Sequence, residues 1–299
     1  MIETKTNTVD ISIIIAAWND IELLQDCLSS LEAQTGPTTF EVIVAHNFAV
    51  PQTGLFSDFT FVELPGSATV PELRRAGLTA ANGRIAAFAE DHCTFHASWC
   101  ENILRSYSGE KIAVGGPIEN ASPPTALNWA VYFYDYGRYM PPMPAGRIEN
   151  LSGMNVSYPR EVLDGLRAVW HDGFFEASVN PEVVSHGYDL IIQPDAIVYH
   201  CKNYQLGRAL SHSFHLARSY AARRVSGSQP AMRFFRAFLA ITLPVILPLR
   251  VISSVLGKRR HVAELFLSLP HLVVLLFVWS CGEFCGYLFG EGESAKAWR

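Results

Sequence analysis

The 299-residue chain is long enough for one α/β domain of ordinary size and an appendage. Its 23 Lys and Arg residues against 28 Asp and Glu residues give a net charge of -5, which excludes a general electrostatic attraction for nucleic acid. Residues 1–10 are polar and the first apolar run is short, so we predict no signal peptide and an N-terminal part that begins in the cytoplasm. The six cysteines lack the CxxC pairing of zinc sites, and we expect most of them to be buried or half-buried thiols in a reducing compartment.

The N-terminal region has the pattern of a βαβ unit. Residues 11–17 form an apolar, β-branched run, which predicts a strand buried on both faces, as in parallel sheets. Trp18-Asn19-Asp20 ends this run, and Asp20 is a plausible N-cap of the helix that follows. That helix is predicted from the spacing of Ile21, Leu24, Cys27, Leu28 and Leu31. A second buried strand is predicted at residues 40–45.

A third helix and strand lead into an acidic cluster. Pro71 is predicted in the first turn of the helix, and Asn82-Gly83 ends it. The strand-like run at residues 83–89 then stops at Glu90-Asp91-His92-Cys93. In open α/β sheets ligands bind just beyond the carboxyl ends of the strands, so this cluster is placed to bind a divalent cation or a phosphorylated ligand. Arg74 and Arg75 on the helix either are solvated charges or offset the charge of a diphosphate.

Several ordered segments together resemble a family 2 glycosyltransferase of the GT-A fold. The resemblance covers about residues 9–225 and is carried by the run from Ile11 to Leu31, Glu41-Val42-Ile43-Val44, Arg74-Arg75-Ala76-Gly77 with Asn82-Gly83, and Glu90-Asp91-His92. Further on, Leu151-Ser152-Gly153-Met154-Asn155 resembles the family's acceptor-side segment, Asp172-Gly173-Phe174-Phe175-Glu176 the stretch with the catalytic base, and residues 194–200 the closing strand with its His. The resemblance implies a Rossmann-like α/β fold, with a mostly parallel sheet, flanking helices and a nucleotide-sugar donor.

The resemblance also implies roles for individual residues. The donor would be contacted by Ala17, Asn19, His46, Arg74, Arg75, Glu90 and Asp91, and the acceptor by Asn155. A divalent cation, Mn²⁺ or Mg²⁺, would be held by Asp91, His92 and His200. His46 and His92 stand where the family usually has Asp. Because Mn²⁺ accepts imidazole better than Mg²⁺ does, His92 favours Mn²⁺.

Glu176 is predicted to be the general base that takes the proton from an acceptor hydroxyl. Attack from the face opposite the leaving group would invert the anomeric carbon, as the resemblance also implies. Asp172, four residues earlier, is the competing base. If the acceptor were a lipid phosphate, already an anion, Glu176 would mainly orient it.

The C-terminal region is predicted to associate with a membrane. Residues 237–256 and 262–290 are mostly apolar, and each run is about as long as the roughly 20 residues that cross a bilayer as a helix. Pro244, Pro248 and Pro270 imply kinks or a re-entrant path. We therefore expect a GT-A domain at 1–225 and an α-helical membrane hairpin at 226–299. A hairpin of two spans would place Lys258-Arg259-Arg260 outside, against the positive-inside tendency, whereas two segments in the cytoplasmic leaflet would not.

Two hypotheses of different classes remain. The first is an active sugar transferase at the cytoplasmic (inner) membrane, with its catalytic domain facing the cytoplasm and a lipid-linked or polysaccharide acceptor. The second is a non-catalytic protein that binds a nucleotide sugar or scaffolds a polysaccharide assembly complex. The expected partners are the nucleotide sugar, the lipid-linked or glycan acceptor and membrane lipids, without nucleic acid. Formation of a homo-oligomer is left open.

Overall fold

The computed structural model describes residues 9–18, 21–50, 57–109 and 111–297. Asn19 and Asp20, expected to contact the donor and to cap a helix, lie outside the described residues. The chain divides into two compact units. The first unit is Met1–Glu119 with Pro142–His200, and the second is Asn120–Pro141 with Cys201–Arg299.

The chain as far as His200 alternates strands and helices. In order, these elements are β1 (Ile11–Ala17), α1 (Ile21–Glu32), β2 (Phe40–His46), β3 (Thr60–Glu63), α2 (Val70–Ala80), β4 (Ile85–Glu90), β5 (Cys93–Phe95), α3 (Trp99–Ser106), β6 (Ile112–Gly115), β7 (Ile118–Asn120), α4 (Ala126–Asp135), a 3-10 helix (Gly137–Tyr139), β8 (Gly146–Arg147), β9 (Val156–Pro159), α5 (Arg160–Gly165), α6 (Arg167–Trp170), α7 (Glu176–Ser185), β10 (Asp189–Ile192) and β11 (Val198–His200).

The first unit is built on a mixed eight-stranded sheet in the order β3-β2-β1-β4-β9-β6-β10-β8. Strands β3, β2, β1 and β4 are parallel to one another, whereas β9 runs antiparallel to both β4 and β6. A smaller three-stranded sheet has the order β5-β11-β7. The predicted α/β fold is therefore confirmed. The predicted burial of β1 on both faces is also confirmed, because all seven of its residues are buried.

The helices that flank β1 have the buried faces that their sequences predict. In α1, the buried residues are Leu24, Cys27, Leu28 and Leu31, spaced to lie on one side of a helix. Helix α2 begins with a capping box between Thr69 and Glu72, and Pro71 occupies its first turn. A Cβ atom at Gly77 would clash with the side chain of Ile14 on β1. Glycine therefore lets α2 lie close against the sheet.

Aromatic packing fixes the entry to α7. The ring of Phe174 stacks on Phe88 of β4, with centroids 4.0 Å apart. The backbone N–H of Phe174 donates to Pro71 O at 2.8 Å. These contacts join the segment before α7 to the start of α2 and to the centre of the sheet. They place Glu176, the first residue of α7, beside both elements.

The second unit contains α4 and five C-terminal helices. These are α8 (Leu206–Arg224), α9 (Pro230–Ala240), α10 (Leu243–Lys258), α11 (Val262–Phe289) and α12 (Ser294–Ala297). Among the described residues, α11 is the one helix that is by itself long and apolar enough to cross a membrane. The apolar run at residues 237–256, for which the prolines predicted a kink or a re-entrant path, is divided between α9 and α10, which are bent by 62° relative to each other. Pro244 explains the break, because its ring lacks an N–H and would clash with the carbonyl of residue 240 in a continuous helix.

Helices α8 and α11 pack closely and run parallel. Added Cβ atoms at Gly282 and Gly286 of α11 would clash with the backbone oxygens of Phe214 and Arg218 on α8. The hydroxyl of Ser213 donates to Leu275 O at 2.9 Å. Contact of this kind requires small residues where two helix backbones approach each other.

The apolar helix α11 carries one buried acid, Glu283, whose carboxylate is fully engaged by polar neighbours. Arg224 of α8 donates to Glu283 Oε2 at 2.9 Å, and Trp279 Nε1 donates to Glu283 Oε1 at 2.8 Å. The hydroxyl of Tyr287 also donates to Glu283 Oε2, at 2.8 Å. A charge within an apolar helix is tolerated when it is paired and hydrogen-bonded in this way.

Candidate active site

The carboxyl ends of three parallel strands lie level with one another. Ala17 of β1 pairs with His46 of β2, and Ala16 of β1 pairs with Glu90 of β4. Three of the predicted donor-binding residues, Ala17, His46 and Glu90, are thus brought to the same edge of the sheet. This edge is where open α/β sheets place their ligands.

Asp91 is fully buried and holds two neighbours in place. Its Oδ2 accepts a hydrogen bond from the backbone N–H of Trp18 at 2.8 Å. Its Oδ1 lies 3.2 Å from Nδ1 of His92, and Nε2 of His92 lies 3.2 Å from Oε2 of Glu90. The carboxylate of Asp91 therefore orients the imidazole of His92 toward Glu90 and links the ends of β1 and β4.

His200 comes to this cluster from the opposite end of the first unit's sequence. It is the last residue of β11 and pairs with Cys93 of β5, directly after the acidic cluster. The rings of His200 and His92 are perpendicular, with centroids 5.2 Å apart. The indole of Trp18 lies edge-on to the His92 ring, at 5.6 Å. Two imidazoles predicted to share a ligand are thus adjacent in the fold.

Arg74 bridges two carboxylates inside the first unit. Its Nη2 donates to Glu90 Oε1 and its Nη1 donates to Glu176 Oε2, both at 2.7 Å. The side chain of Arg74 is only 4% exposed, and those of Glu90 and Glu176 are 12% and 11% exposed. In this structure the guanidinium is therefore turned toward protein carboxylates, whereas the sequence predicted a contact with a diphosphate, which stays a prediction.

The loop before β9 lies directly against this bridge. A Cβ atom at Gly153 would stand 2.7 Å from both terminal nitrogens of Arg74 and 2.8 Å from Oε2 of Glu176. A side chain at position 153 would therefore displace the ion pairs. Glycine allows the backbone of the predicted acceptor-side segment to approach both groups.

The two candidate bases occupy different environments. Glu176 begins α7 and is held by Arg74. The side chain of Asp172 is 91% exposed and lies 3.1 Å from Nε2 of His171. The structure thus brings Glu176, but not Asp172, into the cluster with Arg74 and Glu90.

Asn155, predicted to bind the acceptor, is almost completely buried. Its Oδ1 accepts a hydrogen bond from Trp99 Nε1 at 3.0 Å, and its Nδ2 donates to Pro117 O and Ala196 O at 3.1 and 2.8 Å. These bonds join α3 to two loops of the first unit. Asn155 acts here as a structural tie, and its contact with an acceptor stays a prediction.

The remaining predicted donor residues that the structure describes are His46 and Arg75. His46 is buried, with Nδ1 2.8 Å from Phe48 O and its ring edge-on to Phe48 and Phe61. Arg75 is half-buried on α2, next to Arg74. Their contacts with a nucleotide stay predictions.

Trp18 and Gly153 contribute to the cluster and were missed as site residues by the sequence reasoning. Trp18 directly follows β1, and a polar or aromatic residue at a strand end is a signal that could have identified it. Gly153 lay within the quoted Leu151–Asn155 motif, but its close approach to Arg74 depends on the tertiary fold.

The residues that the structure describes contain no group of three or more His, Cys, Asp and Glu side chains arranged to hold a metal ion. The predicted trio of Asp91, His92 and His200 is therefore not assembled as a complete set of ligands by the protein alone. What the described chain provides is two adjacent imidazoles with carboxylates beside them.

The mixed sheet with acidic side chains at the ends of its parallel strands resembles that of a GT-A glycosyltransferase, with His46 and His92 where the family usually has Asp. Residues 12–167, slightly more than half of the chain, match the family model described as Glycosyl transferase family 2. The chain belongs to this family, as its sequence motifs indicated.

One curated relative and two solved structures extend the comparison. Glycosyltransferase AglE of Haloferax volcanii is 29% identical over 126 residues, which span 38% of this chain and 40% of that protein. The mannosyltransferase PcManGT from Pyrobaculum calidifontis, solved with GDP-Man and Mn²⁺, has a TM-score of 0.58 and 15% identity over 93% of this chain and 88% of its own. GalNAc-T7, solved with UDP, GalNAc and Mn²⁺, has a TM-score of 0.51 and 13% identity over 67% of this chain and 45% of its own. The chain spans less than half the length of AglE and of GalNAc-T7, and the structural likenesses confirm the GT-A fold.

Proposed function

We propose that the protein is an inverting glycosyltransferase that moves a sugar from a nucleotide-sugar donor to a lipid-linked or polysaccharide acceptor at the cytoplasmic face of a membrane. The observation that carries this proposal is the convergence of Glu90, His92 and His200 with the Arg74–Glu176 pair at the carboxyl edge of the sheet. Membership of the family supports glycosyl transfer.

A divalent cation fits the residues at the donor side. His92 and His200 are imidazoles at adjacent positions, and Glu90 adds a carboxylate next to His92. A cation that arrives with a diphosphate needs fewer protein ligands, because phosphate oxygens supply the others. Imidazole in the donor set favours Mn²⁺, the ion in both structural neighbours. When bound, such an ion neutralises the charge that develops on the leaving diphosphate.

In this proposal Asp91 supports the site mainly through His92. A hydrogen-bonded carboxylate that orients a ligating imidazole is a common feature of metal sites. Asp91 makes this contact, at 3.2 Å, while its other oxygen is bonded to the backbone of Trp18. Direct ligation of the ion by Asp91, which the sequence suggested, would require it to exchange one of these contacts.

Glu176 is the proposed general base. It would take the proton from an acceptor hydroxyl while the acceptor oxygen bonds to the anomeric carbon and the bond from that carbon to the diphosphate oxygen breaks. The nucleoside diphosphate then leaves with the bonding electrons. Arg74 fixes the position of the Glu176 carboxylate, and the backbone at Gly153 lies against both side chains. Inversion follows if the acceptor attacks from the face opposite the diphosphate.

Attachment to the cytoplasmic face is supported by two further features. Helices α9, α10 and α11 expose many large apolar side chains, which water solvates poorly. The sequence predicts that most of the six cysteines are thiols in a reducing compartment, which favours the cytoplasmic face.

The Arg74 bridge also favours a second candidate function. If the Glu176 carboxylate always stays paired with Arg74, it cannot act as a general base, and the protein would bind a nucleotide sugar without transferring it. Such a protein would serve as a binding or scaffolding component of a polysaccharide assembly complex.

One assay separates the two candidates. The full-length protein, purified in detergent, is incubated with a panel of nucleotide sugars that includes GDP-mannose and UDP-sugars, with and without Mn²⁺, in the presence of membrane lipid extract. A transferase releases free nucleotide with one donor, more so with Mn²⁺, and Glu176→Gln lowers that release. Saturable donor binding without any release of nucleotide would instead identify the binding protein.

A further inference from the structure

We propose that the second unit inserts into one leaflet of an anionic lipid membrane, with α9, α10 and α11 lying in the plane of the leaflet and none of them crossing the bilayer. This inference rests on the proposed membrane attachment and decides its depth and topology. It is derived from contacts within the second unit and from the covalent continuity of the chain.

The apolar side chains that would enter the lipid lie on three consecutive helices, α9, α10 and α11. The apolar side chains exposed on it include Phe234, Phe235, Phe238, Ile241, Val245, Leu249, Phe266, Leu267, Val274 and Phe277. A soluble monomer rarely exposes so many large apolar side chains on consecutive helices. Interfacial helices bury such a face about 5–10 Å into the boundary between headgroups and acyl chains.

Basic residues accompany the apolar face, which makes anionic lipid the matching partner. Arg233 and Arg236 lie on α9, Arg250 is exposed on α10, and Arg259 is exposed just after α10. Basic side chains next to an inserted apolar face are attracted by the negative surface of a leaflet that contains anionic lipids. Long basic side chains can also reach the headgroups from a buried stem.

The turn between α10 and α11 is hydrogen-bonded to backbone carbonyls of residues 138–141 in the same unit. The ammonium of Lys258 donates to the carbonyls of Arg138 and Met140, and Nη1 of Arg260 donates to Pro141 O at 3.2 Å. Pro141 is joined by a peptide bond to Pro142, the first residue of a stretch that belongs to the first unit. The turn therefore stays on the face of the membrane where the first unit lies.

This tie excludes a transmembrane course for α9 and α10. The chain enters α9 from α8, which follows the first unit after only a few residues, and it leaves α10 at the tied turn. Both ends of the α9–α10 pair are thus on one face of the membrane. The 62° bend at residues 241–242 is the geometry that a re-entrant pair requires. The same tie removes the conflict with the positive-inside tendency, because Lys258, Arg259 and Arg260 remain on the cytoplasmic face.

The far end of α11 is held by α8. Nε of Arg218 donates to Gly290 O at 2.8 Å, and Nη2 of Arg223 lies 3.3 Å from the Glu291 carboxylate. Helix α8 carries four arginines and two histidines, so it is too polar to cross a hydrocarbon core. Because α8 stays at the surface, the C-terminal end of α11 stays there too. Helix α11 is long enough to span a bilayer, yet both of its ends are fixed on one face.

The parallel packing of α8 on α11 also indicates that α11 lies in the plane of the leaflet and does not cross the bilayer. An in-plane α11 needs a polar layer between its upper side and water, and α8 provides that layer along the C-terminal half of α11. The ion pair between Arg224 and Glu283 then lies at this polar side of α11, where its burial among hydrogen bonds is tolerated. In a transmembrane α11, α8 would have to enter the hydrocarbon core beside it.

Labelling of single cysteines in sealed membrane vesicles tests the topology. The three least buried native thiols are first removed with Cys201→Ser, Cys281→Ala and Cys285→Ala. Ser108→Cys, at an exposed position of the first unit, then reports the face on which that unit lies. Arg259→Cys probes the turn before α11, and Glu293→Cys probes the exposed segment after it. Leu267→Cys, on the apolar face of α11, is the matched probe for lipid insertion.

The proposal predicts that the cysteines at 108, 259 and 293 react with a membrane-impermeant maleimide from the same face, in vesicles of either orientation. The cysteine at 267 should resist the reagent until detergent is added. Labelling of position 259 from the opposite face would show that α10 and α11 form a spanning hairpin, and opposite labelling of position 293 alone would show that α11 crosses. Release of the protein from the vesicles by alkaline carbonate would overturn insertion itself.

The labelling result does not depend on turnover. Release of nucleotide from the donor panel, measured on the same vesicles, tests the proposed transferase activity separately. A protein with one-sided labelling and no turnover would retain the topology and lose the proposed reaction.

Discussion

Replacement of Arg74 is the perturbation for which the structure gives the sharpest expectation. Arg74→Met keeps much of the length of the side chain and removes the charge that links Glu90 to Glu176. Both carboxylates are then left largely buried and close to each other without their shared counterion. We expect the first unit to be strongly destabilised.

The expected loss of unfolding free energy in Arg74→Met follows from the burial of Arg74 and the lengths of its two ion-pair bonds. Removal of one partner from a buried ion pair typically costs about 3–5 kcal/mol, because the remaining charge is desolvated without compensation. Arg74 is 4% exposed and makes two bonds of 2.7 Å, so the full range applies here. For a unit of this size each kcal/mol lowers the melting temperature by roughly 2–4 °C, which gives an expected decrease of roughly 6–20 °C.

The assay is thermal unfolding of the full-length protein in detergent, followed by tryptophan fluorescence. Arg105→Ala is the matched control, because Arg105 is 65% exposed and makes a similar short ion pair with Glu101 on α3. Exposed pairs at this spacing contribute only about 0.3–0.5 kcal/mol. The control should therefore melt within about 2 °C of the parent protein.

A second set of variants separates charge from packing. Arg74→Met combined with Glu90→Gln and Glu176→Gln removes all three charges and should recover a large part of the lost stability. If Arg74→Met melts no lower than Arg105→Ala, the bridge has no energetic role and the reasoning is refuted. If the triple variant is as unstable as Arg74→Met alone, the cost comes from lost packing around position 74 rather than from unpaired carboxylates.

Three further predictions concern catalysis, the cation and helix packing. Glu176→Gln should lower transfer to a hydroxyl acceptor by about 10²- to 10⁴-fold in steady-state kinetics, with little change in donor affinity. Asp172→Asn, at an exposed position, should be nearly neutral. The reverse pattern would assign the general base to Asp172. His92→Ala should abolish the stimulation of nucleotide release by Mn²⁺, measured by titration of the ion, and stimulation equal to that of the parent protein would remove His92 from the cation site. Gly282→Ala should separate α8 from α11 and lower the melting temperature. The control is Gly257→Ala, where an added Cβ meets no atom within 4 Å, and it should be neutral or slightly stabilising. Equal melting temperatures of the two variants would contradict the close packing of α8 and α11.

Local patterns predicted the first unit well where burial follows sequence directly. The run at Ile11–Ala17 became a strand buried on both faces, and the helical spacing of α1 matches its buried residues. The acidic cluster was expected at a strand end, and Glu90 is indeed the last residue of β4. These features depend on neighbours within a few residues along the chain, so periodicity is enough to reveal them.

The C-terminal helices show where hydropathy alone was insufficient. The apolar runs at residues 237–256 and 262–290 each suggested a membrane-associated helix, and the prolines in both runs suggested kinks or a re-entrant path. The fold interrupts the first run at residues 241–242, just before Pro244, and leaves the second continuous despite Pro270. A proline can be accommodated within a helix or can end it, and which outcome occurs depends on the tertiary packing around it.

The sequence by itself determined the family, the order of strands and helices around β1, and the residue types at the strand ends. Only the tertiary structure decided which of those residues meet. It joined Arg74 to both Glu90 and Glu176, which lie 16 and 102 residues away, and it placed His200 against His92. It also turned Asn155 inward as a structural tie and left Asp172 in solvent. The physical reason is that ion pairs and ring contacts depend on distances of a few ångströms between segments far apart in the chain, and those distances are set by how the sheet and its helices pack.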